Sequence, residues 1–438
     1  MAPRDGMTLQ SNLGDLIAAT EASTRPERLP TNTTTRGHAV HRWFNFIAGF
    51  SPEFVGACVD LAPTNASNMV LLDPFSGCGT APLEARLMGV SAVAYEPHPF
   101  FAAISKAKAD SPKYWAELPQ IHAALARGLL RRDTRGLNIS ASATAFLSKM
   151  FKEDDIIALF SARRELAEAG LDANPLAVLT LSRMLDHCCF AATDGIYKAP
   201  STTKKTISPK AALDRVFEAI KADSQAAQFG EGRVKIHARS SEQMSELADD
   251  SIDVVVTSPP YLNNFDFAEM TRMYLYFWGL AGSWGEITDK VRSRLIVNTT
   301  TALKGHKDKQ AAYRDTLPTK VRLAAEEAVR ALTIRRREKA GKKEYDLLVY
   351  PYLSQMQQVL KETLRVMKPG APFHMMVSDA ALYGVHLPAP QWLAQIMAEL
   401  GYQDVQCELV RARGHRWQLQ KREGSATGLG EYCVSGRA

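Results

Sequence analysis

Ser251-Ile-Asp-Val-Val-Val-Thr-Ser-Pro-Pro-Tyr261 runs an apolar strand straight into two prolines, and that ending leaves the chain few options. Val254 to Val256 reads as a strand buried on both faces, the pattern of a parallel sheet's interior. Pro259 and Pro260 fix φ and remove two amide donors, so neither continues a central ladder. The strand therefore leaves the sheet through a stiff exit whose carbonyls are free to accept hydrogen bonds. Beside them stand the Ser258 hydroxyl and the Tyr261 ring. Such a group suits a planar ring carrying an exocyclic amine, with the ring stacked on Tyr261 and the NH2 donating to Ser258 and the Pro259 carbonyl. A plain Pro-Pro turn would use the same residues with no ligand.

A second constraint lies upstream. Met69-Val-Leu-Leu-Asp-Pro-Phe-Ser-Gly-Cys-Gly-Thr80 is an apolar strand, a Gly-x-Gly turn and a helix start, the nucleotide-binding βα unit of doubly wound sheets. Gly77 and Gly79 permit positive φ and close approach of a ligand. Thr80 is expected to cap the helix, Pro82 to sit in its first turn and Gly89 to end it. Position 82 is proline, so the third glycine of the dinucleotide fingerprint is missing. The next strand, Ser91-Ala-Val-Ala-Tyr-Glu96, ends in an acid 23 residues after Asp73. An acid at about that distance grips a ribose diol; the alternative is a solvated strand-end carboxylate.

Together these residues resemble the S-adenosylmethionine-dependent amino-methyltransferases, which methylate exocyclic amines of DNA bases. The resemblance implies an α/β fold, a Rossmann-like class I methyltransferase sheet with helical insertions. It implies that Asp73, Pro74, Phe75, Ser76, Gly77, Cys78, Gly79 and Thr80 form the cofactor loop, joined by Glu96 and Phe100. It implies that Ser258, Pro259, Pro260 and Tyr261 hold a flipped base. The Ser form of the tetrapeptide is typical of the cytosine-N4 branch, while Asp or Asn is commoner in the adenine-N6 branch. Residues from His38 and His41 through Phe44, Phe46 and Phe50-Ser-Pro-Glu-Phe54 are similar to the family's N-terminal cofactor-side motif, which adds His41 to the cofactor set. Met367 to Asp379 resembles the helix-turn-strand of the far half of the sheet, and a final strand pair is expected after Gly401-Tyr402, ending near Glu431-Tyr432. One stretch departs from the pattern: Val234-Lys-Ile-His-Ala-Arg-Ser-Ser-Glu242 has no acid at its strand end for the cofactor's adenine. His237, Ser240 or Ser241, or Phe100 with backbone groups, are the candidates to replace it.

Spacing divides the chain. A βα step takes about 30 residues, yet Asp73 and Ser258 are 185 positions apart. Helical patterns fill the excess at Ala116 to Leu130, Ala141 to Phe151, Glu153 to Ala169 and Pro175 to Phe190. The reading is an N-terminal arm over 1–35, a cofactor half over 36–109 and a mainly helical insertion over 110–228 as candidate target-recognition region. The tetrapeptide segment follows over 229–282, then a basic insertion over 283–345 and the C-terminal half of the catalytic domain over 346–438. Between Lys290 and Lys343 stand sixteen Lys and Arg against five acids, whereas the whole chain carries only +6. Concentrated positive charge is what phosphate contact requires, which makes Arg335, Arg336, Arg337, Lys342 and Lys343 candidates to touch DNA. Lys198, Lys204 and Lys205, in a hydroxyl-rich loop over 193–206, are the others.

Aromatics after the tetrapeptide divide by spacing. Phe265 and Phe267 are pocket candidates, and Tyr274, Tyr276, Phe277 and Trp278 fall at core positions. Asn263, Asn264 and Asp266 are placed to contact base or backbone, and Asp379 is either a pocket residue or a helix cap. Six cysteines include no Cys-x-x-Cys pair, which suggests neither zinc nor a disulfide framework, and Cys188-Cys189 reads as core. His38 and His41 are too isolated to propose a metal. No apolar run reaches membrane-spanning length, and a basic-then-apolar leader is lacking, so the expected location is cytoplasmic. The expected function is site-specific DNA methylation from S-adenosylmethionine without a metal, on cytosine N4. Adenine N6, an RNA amine and a non-catalytic DNA-binding subunit stay open, as does a restriction or defence-system partner. Cys78 is not in a Pro-Cys setting, which disfavours a cytosine-C5 mechanism.

Overall fold

The computed structural model describes residues 34–44, 46, 49–194, 197–412 and 429–438. The arm expected over 1–35 lies outside them, apart from Thr34 and Thr35 in the 3-10 turn Thr34–Gly37. Along the chain come β1 (Val70–Asp73), β2 (Ser91–Tyr95), the hairpin of β3 (Ala191–Asp194) and β4 (Tyr197–Thr203), then β5 (Val234–His237), β6 (Val254–Thr257) and β7 (Pro372–Ser378). A short pair follows, β8 (Ala380–Leu382) and β9 (Val385–Leu387), and then a long pair, β10 (Gln403–Ala412) and β11 (Gly430–Arg437).

Seven strands form one sheet in the order β10-β11-β7-β6-β1-β2-β5. Neighbours from β7 to β5 are parallel, and β11 runs antiparallel to both β7 and β10. β6 and β7 are buried along their whole length, as strands covered on both faces must be. Leu72, Val255 and Val377 face a core made with the helices Val349–Val366 and Ala389–Leu400. Leu71, Val254, Val256 and Met376 face the other way, onto the helix Pro52–Asp60 and onto Ala81 and Ala85. The helix Pro52–Asp60 starts where Ser51 Oγ accepts from Phe54 N at 3.2 Å, so the Phe50-Ser-Pro-Glu-Phe54 segment serves as a capped lid on this face.

The chain order reverses at β1, whose neighbours are β2 on one side and β6 on the other. In such sheets the crevice beyond the carboxyl ends at that point is where ligands bind. Both motifs singled out in the sequence leave the sheet there.

The first insertion is largely helical: Leu118–Arg131, Ala141–Leu147, Glu153–Glu168, Pro175–Cys188 and Pro209–Ala226. Each expected helix is present, its ends within a few residues of the reading. Their apolar faces make a third core with Phe100, Tyr274 and Phe277. The loop expected over 193–206 is instead the β3–β4 hairpin, with Thr193 paired to Lys198 and Asp194 to Tyr197. The Gly-Ile dipeptide at 195–196, between the paired Asp194 and Tyr197, is a two-residue hairpin signal in the sequence that outranks the polar composition of the segment. No described helix is long and apolar enough to cross a membrane.

β6 is anchored by Asp253, which is 3% exposed. Its carboxylate accepts from Val70 N at 2.9 Å, Thr64 Oγ1 at 3.0 Å and Lys368 Nζ at 2.7 Å. One side chain thus ties the start of β6 to β1 and to the turn before β7. Replacing Asp253 with Ala strands a strand amide, and the expected loss is about 2–4 kcal/mol, readable as a lower urea midpoint at unchanged slope.

Candidate active site

The glycine turn is built by its own backbone. Ser76 N donates to Tyr95 O at 2.9 Å, and Gly79 N donates to Ser76 O at 2.8 Å. Gly77 and Gly79 have φ of 51° and 87°, and a Cβ on Gly79 would lie 2.7 Å from Ser105 Oγ. Gly79, in the left-handed region, occupies the cap position of the helix Thr80–Leu87 without a side-chain bond. Thr80 is therefore the first helical residue and not the cap expected of it. The turn is close-packed enough that only glycine fits, which makes it a rigid shelf.

Two buried acids fix that shelf. Asp73 Oδ1 accepts from Phe75 N at 3.0 Å and from Thr257 Oγ1 at 2.7 Å. Glu96 accepts from Gly77 N at 2.7 Å and from His98 N at 2.8 Å. Burial dominates at both, lifting Asp73 to about 7 and Glu96 to about 8 against the pull of these donors. His98, wholly buried, is pushed down to about 3 by the same desolvation, and its Nε2 lies 2.8 Å from Thr271 Oγ1.

A single cleft joins the two motifs. Phe75, Gly77 and Glu96 line it together with Ser258, Pro259, Pro260 and Tyr261. Phe46, Phe101 and Phe267 form an aromatic wall, with Phe46 stacked on Phe267 at 5.7 Å between ring centres. Among the described residues, neither the Ser258 hydroxyl nor the Pro259 carbonyl has a hydrogen-bond partner. Ser240 and Ser241 complete the lining, and the buried Ser241 Oγ also has no partner there.

Several expected residues lie elsewhere. Asp73, Pro74, Ser76, Cys78, Gly79 and Thr80 stand behind the shelf and shape it without lining the cavity. Phe100 is fully buried and stacked on Tyr274 at 4.3 Å, so its neighbour Phe101 reaches the cavity in its place. His41 is buried behind the helix Thr80–Leu87, its Nε2 2.9 Å from Glu84 Oε2, and burial drives its pKa well down. His237 sits against Glu246 at 2.8 Å and stacks on Tyr95. Asp379 neither caps a helix nor reaches the cavity: it accepts from Gly430 N at 2.9 Å and meets His386 Nε2 at 2.9 Å, which locks β11 to the end of β7.

The basic candidates are divided. Lys198 Nζ lies 3.4 Å from Asp186 Oδ1, Lys204 donates to Asp186 O at 2.7 Å, and Lys205 is exposed. Arg336 is held by Asp346 at 2.6 Å and Arg335 by Glu338 at 3.2 Å, whereas Arg337, Lys342 and Lys343 are exposed.

The second insertion contributes a wall that its basic composition did not announce. Leu295, Ile296 and Asn298 line the cavity. Asn298 Nδ2 donates to Phe265 O at 2.9 Å and to Tyr261 O at 3.3 Å, while its carbonyl accepts from Asn263 N at 2.6 Å. Arg292, 2% exposed, donates through Nε to Asp266 Oδ2 at 2.9 Å, and Asp266 also accepts from Thr301 Oγ1 at 2.7 Å. Nothing in the sequence marks Arg292 or Asn298 apart from their neighbours. Replacing Arg292 with Met leaves a buried carboxylate alone and is expected to cost about 3–5 kcal/mol, whereas Arg292→Met with Asp266→Asn costs less than Arg292→Met alone; chemical denaturation of both variants checks this.

Comparison with known proteins gives one relationship across the chain. It is 21% identical to the Type II methyltransferase M.BsoBI of Geobacillus stearothermophilus over 94% of this chain and 86% of that protein. No family model matches, and no solved structure matches. The mixed α/β architecture, with its seven-stranded and mostly parallel sheet, is consistent with that relative's class, and a distant likeness of this length supports a methyltransferase.

Proposed function

We propose that this protein is a DNA methyltransferase that transfers a methyl group from S-adenosylmethionine to the exocyclic amine of a flipped base, cytosine N4 in the first instance. The observation that carries the reading is the single cavity running from the Gly77–Glu96 shelf to the Ser258–Tyr261 exit. The likeness to a Type II methyltransferase supports it independently.

The shelf fits the cofactor. Gly77 allows close approach, Glu96 offers its remaining lone pairs to a ribose diol, and the unpartnered Ser241 hydroxyl stands where an adenine edge would need a partner. Bound there, S-adenosylmethionine supplies an electrophilic methyl on sulfur. An amine inside a duplex cannot reach it, so the target nucleotide leaves the stack. Tyr261 stacks on the extruded ring, which recovers part of the unstacking cost. The Ser258 hydroxyl and the Pro259 carbonyl would accept hydrogen bonds from the two amine N–H groups and draw the nitrogen toward tetrahedral geometry, which frees its lone pair for attack. With the cofactor bound, transfer would form the nitrogen–carbon bond as the sulfur–carbon bond breaks, and the surplus amine proton would leave to water.

Incubation with labelled cofactor and unmethylated DNA, followed by digestion and mass spectrometry of the nucleosides, tests the reading. N4-methylcytosine is expected. N6-methyladenine would overturn the choice of base, label on RNA alone would overturn the substrate, and cofactor binding without transfer would leave a DNA-binding subunit. Tyr261→Ala is expected to lower kcat/KM by about ten- to a hundredfold, the worth of one stacked base.

The lifted carboxyls set a pH dependence. Glu96 is neutral below about 8, and a neutral acid accepts less well from a diol, so cofactor affinity should rise with pH through that value. Glu96→Gln should flatten the rise and bind about tenfold more weakly on the alkaline side, as titration calorimetry across the range would show. Stability runs the other way. The contribution of these two acids is present in full below their ordinary values of 3.8 and 4.5 and is lost as pH climbs from there through about 7 and about 8.

A further inference from the structure

A second, open cavity of about 490 Å³ shares a wall with the first. The segment from Phe265 to Met273 divides them: Phe265 and Phe267 face the first, while Glu269, Met270, Arg272 and Met273 face the second. Ser142 and Lys149 of the first insertion and Tyr197 and Lys198 of the hairpin close its other sides. Tyr197 also accepts from Asp266 N at 3.0 Å, so the hairpin is braced against the shared wall.

Two guanidinium groups flank Trp284 here. Arg292 lies 4.3 Å from the ring centre and is neutralised by Asp266. Arg272 lies 5.0 Å from it and 4.0 Å from the ring centre of Phe146. Yet among the described residues the Arg272 guanidinium has no hydrogen bond and no ion pair, and its Nε is buried without a partner. Aromatic stacking holds a planar cation in one orientation with its donors unspent. Five donors in a rigid fork match the oxygens of a phosphate. Lys149, exposed on the same lining, likewise has no acid. Glu269 is the acid on this lining; burial and the neighbouring Asp266 raise its pKa, while Arg292, Arg272 and Lys343 pull it back.

We propose that this second cavity binds a backbone phosphate of the DNA strand that carries the extruded base, with Arg272 as the principal contact and Lys149 as the second. The inference rests on the methyltransferase reading and deepens it. Extruding a nucleotide rotates it about its own backbone, and a phosphate clamped across the Phe265–Met273 wall would fix the pivot. Phosphate contacts position the strand and carry no sequence information, so Arg272 belongs to positioning rather than to base choice.

The experiment measures kcat/KM for unmethylated bacterial genomic DNA against salt concentration, with cofactor affinity measured separately by calorimetry. Arg272→Gln and Lys149→Gln are each expected to lower kcat/KM by about tenfold and to reduce the salt slope by about one, the signature of one lost phosphate contact. Cofactor affinity stays at the wild-type value, and Glu269→Gln raises kcat/KM. Should Arg272→Gln fail to fold, as circular dichroism would reveal, the exposed Lys149 and the opposite sign at Glu269 still decide the matter. If the wild type methylates DNA and these variants leave both rate and slope unchanged, the phosphate site is wrong and the methyltransferase reading stands. If the wild type neither binds nor methylates DNA, both fall.

Discussion

Asp73 at the end of β1 and Thr257 at the end of β6 share a 2.7 Å hydrogen bond across 184 residues of chain, at the point where both motifs leave the sheet. It works because the strands are already in register, Leu71 with Val254 and Leu72 with Val255. In a sheet buried on both faces, a slip of one residue would exchange the two apolar sets and is strongly disfavoured. The bond at the strand ends therefore does not create the alignment; it reads out the register the core has imposed. From that point the Gly77 turn leaves one strand and the Ser258–Tyr261 exit leaves the next. A cavity that spans both motifs is the geometric consequence of their adjacency.

Adjacency alone gives a crevice open on one side, and the second insertion closes it. Asn298 satisfies the carbonyls of Tyr261 and Phe265, which no ladder partner could reach once Pro259 and Pro260 had ended the strand. Arg292 and Asp266 then bury a charge pair at the seam. Burying two charges is a weak source of stability, but the pair tolerates few other arrangements. Its value here is to hold the 261–267 segment in one conformation beside the cavity.

The residues legible in the sequence are those whose backbone chemistry is local. Two prolines stop a strand wherever they occur, two glycines permit a tight turn, and apolar periodicity marks helices, so the sheet's two key exits and the helical first insertion could be read directly. What escaped reading depends on rotation and distance. Phe100 and Phe101 are adjacent on one helix and point in different directions, and only the packing of Phe100 on Tyr274 decides which one reaches the cavity. His41 resembles a motif member yet is buried against Glu84. Asp379 has two plausible local roles and takes neither, because Gly430 arrives from far along the chain to claim it. Arg292 looks like any other residue of a basic stretch until Asp266 is brought to it. In each case the deciding partner is long-range, and no local pattern encodes it.

The polar groups left over in the cavity restrict what can satisfy them. The Ser258 hydroxyl, the Pro259 carbonyl and the buried Asn264 Oδ1 all line it, and none has a partner among the described residues. Two of the three can only accept, and the third can do so. A guest that brings only acceptors would leave two buried oxygens unsatisfied, each costing about 1–3 kcal/mol. A guest with an NH2 group supplies two donors from one atom. The same argument discriminates against thymine, which presents a carbonyl where cytosine presents its amine. It distinguishes adenine from cytosine much less, since both carry the group.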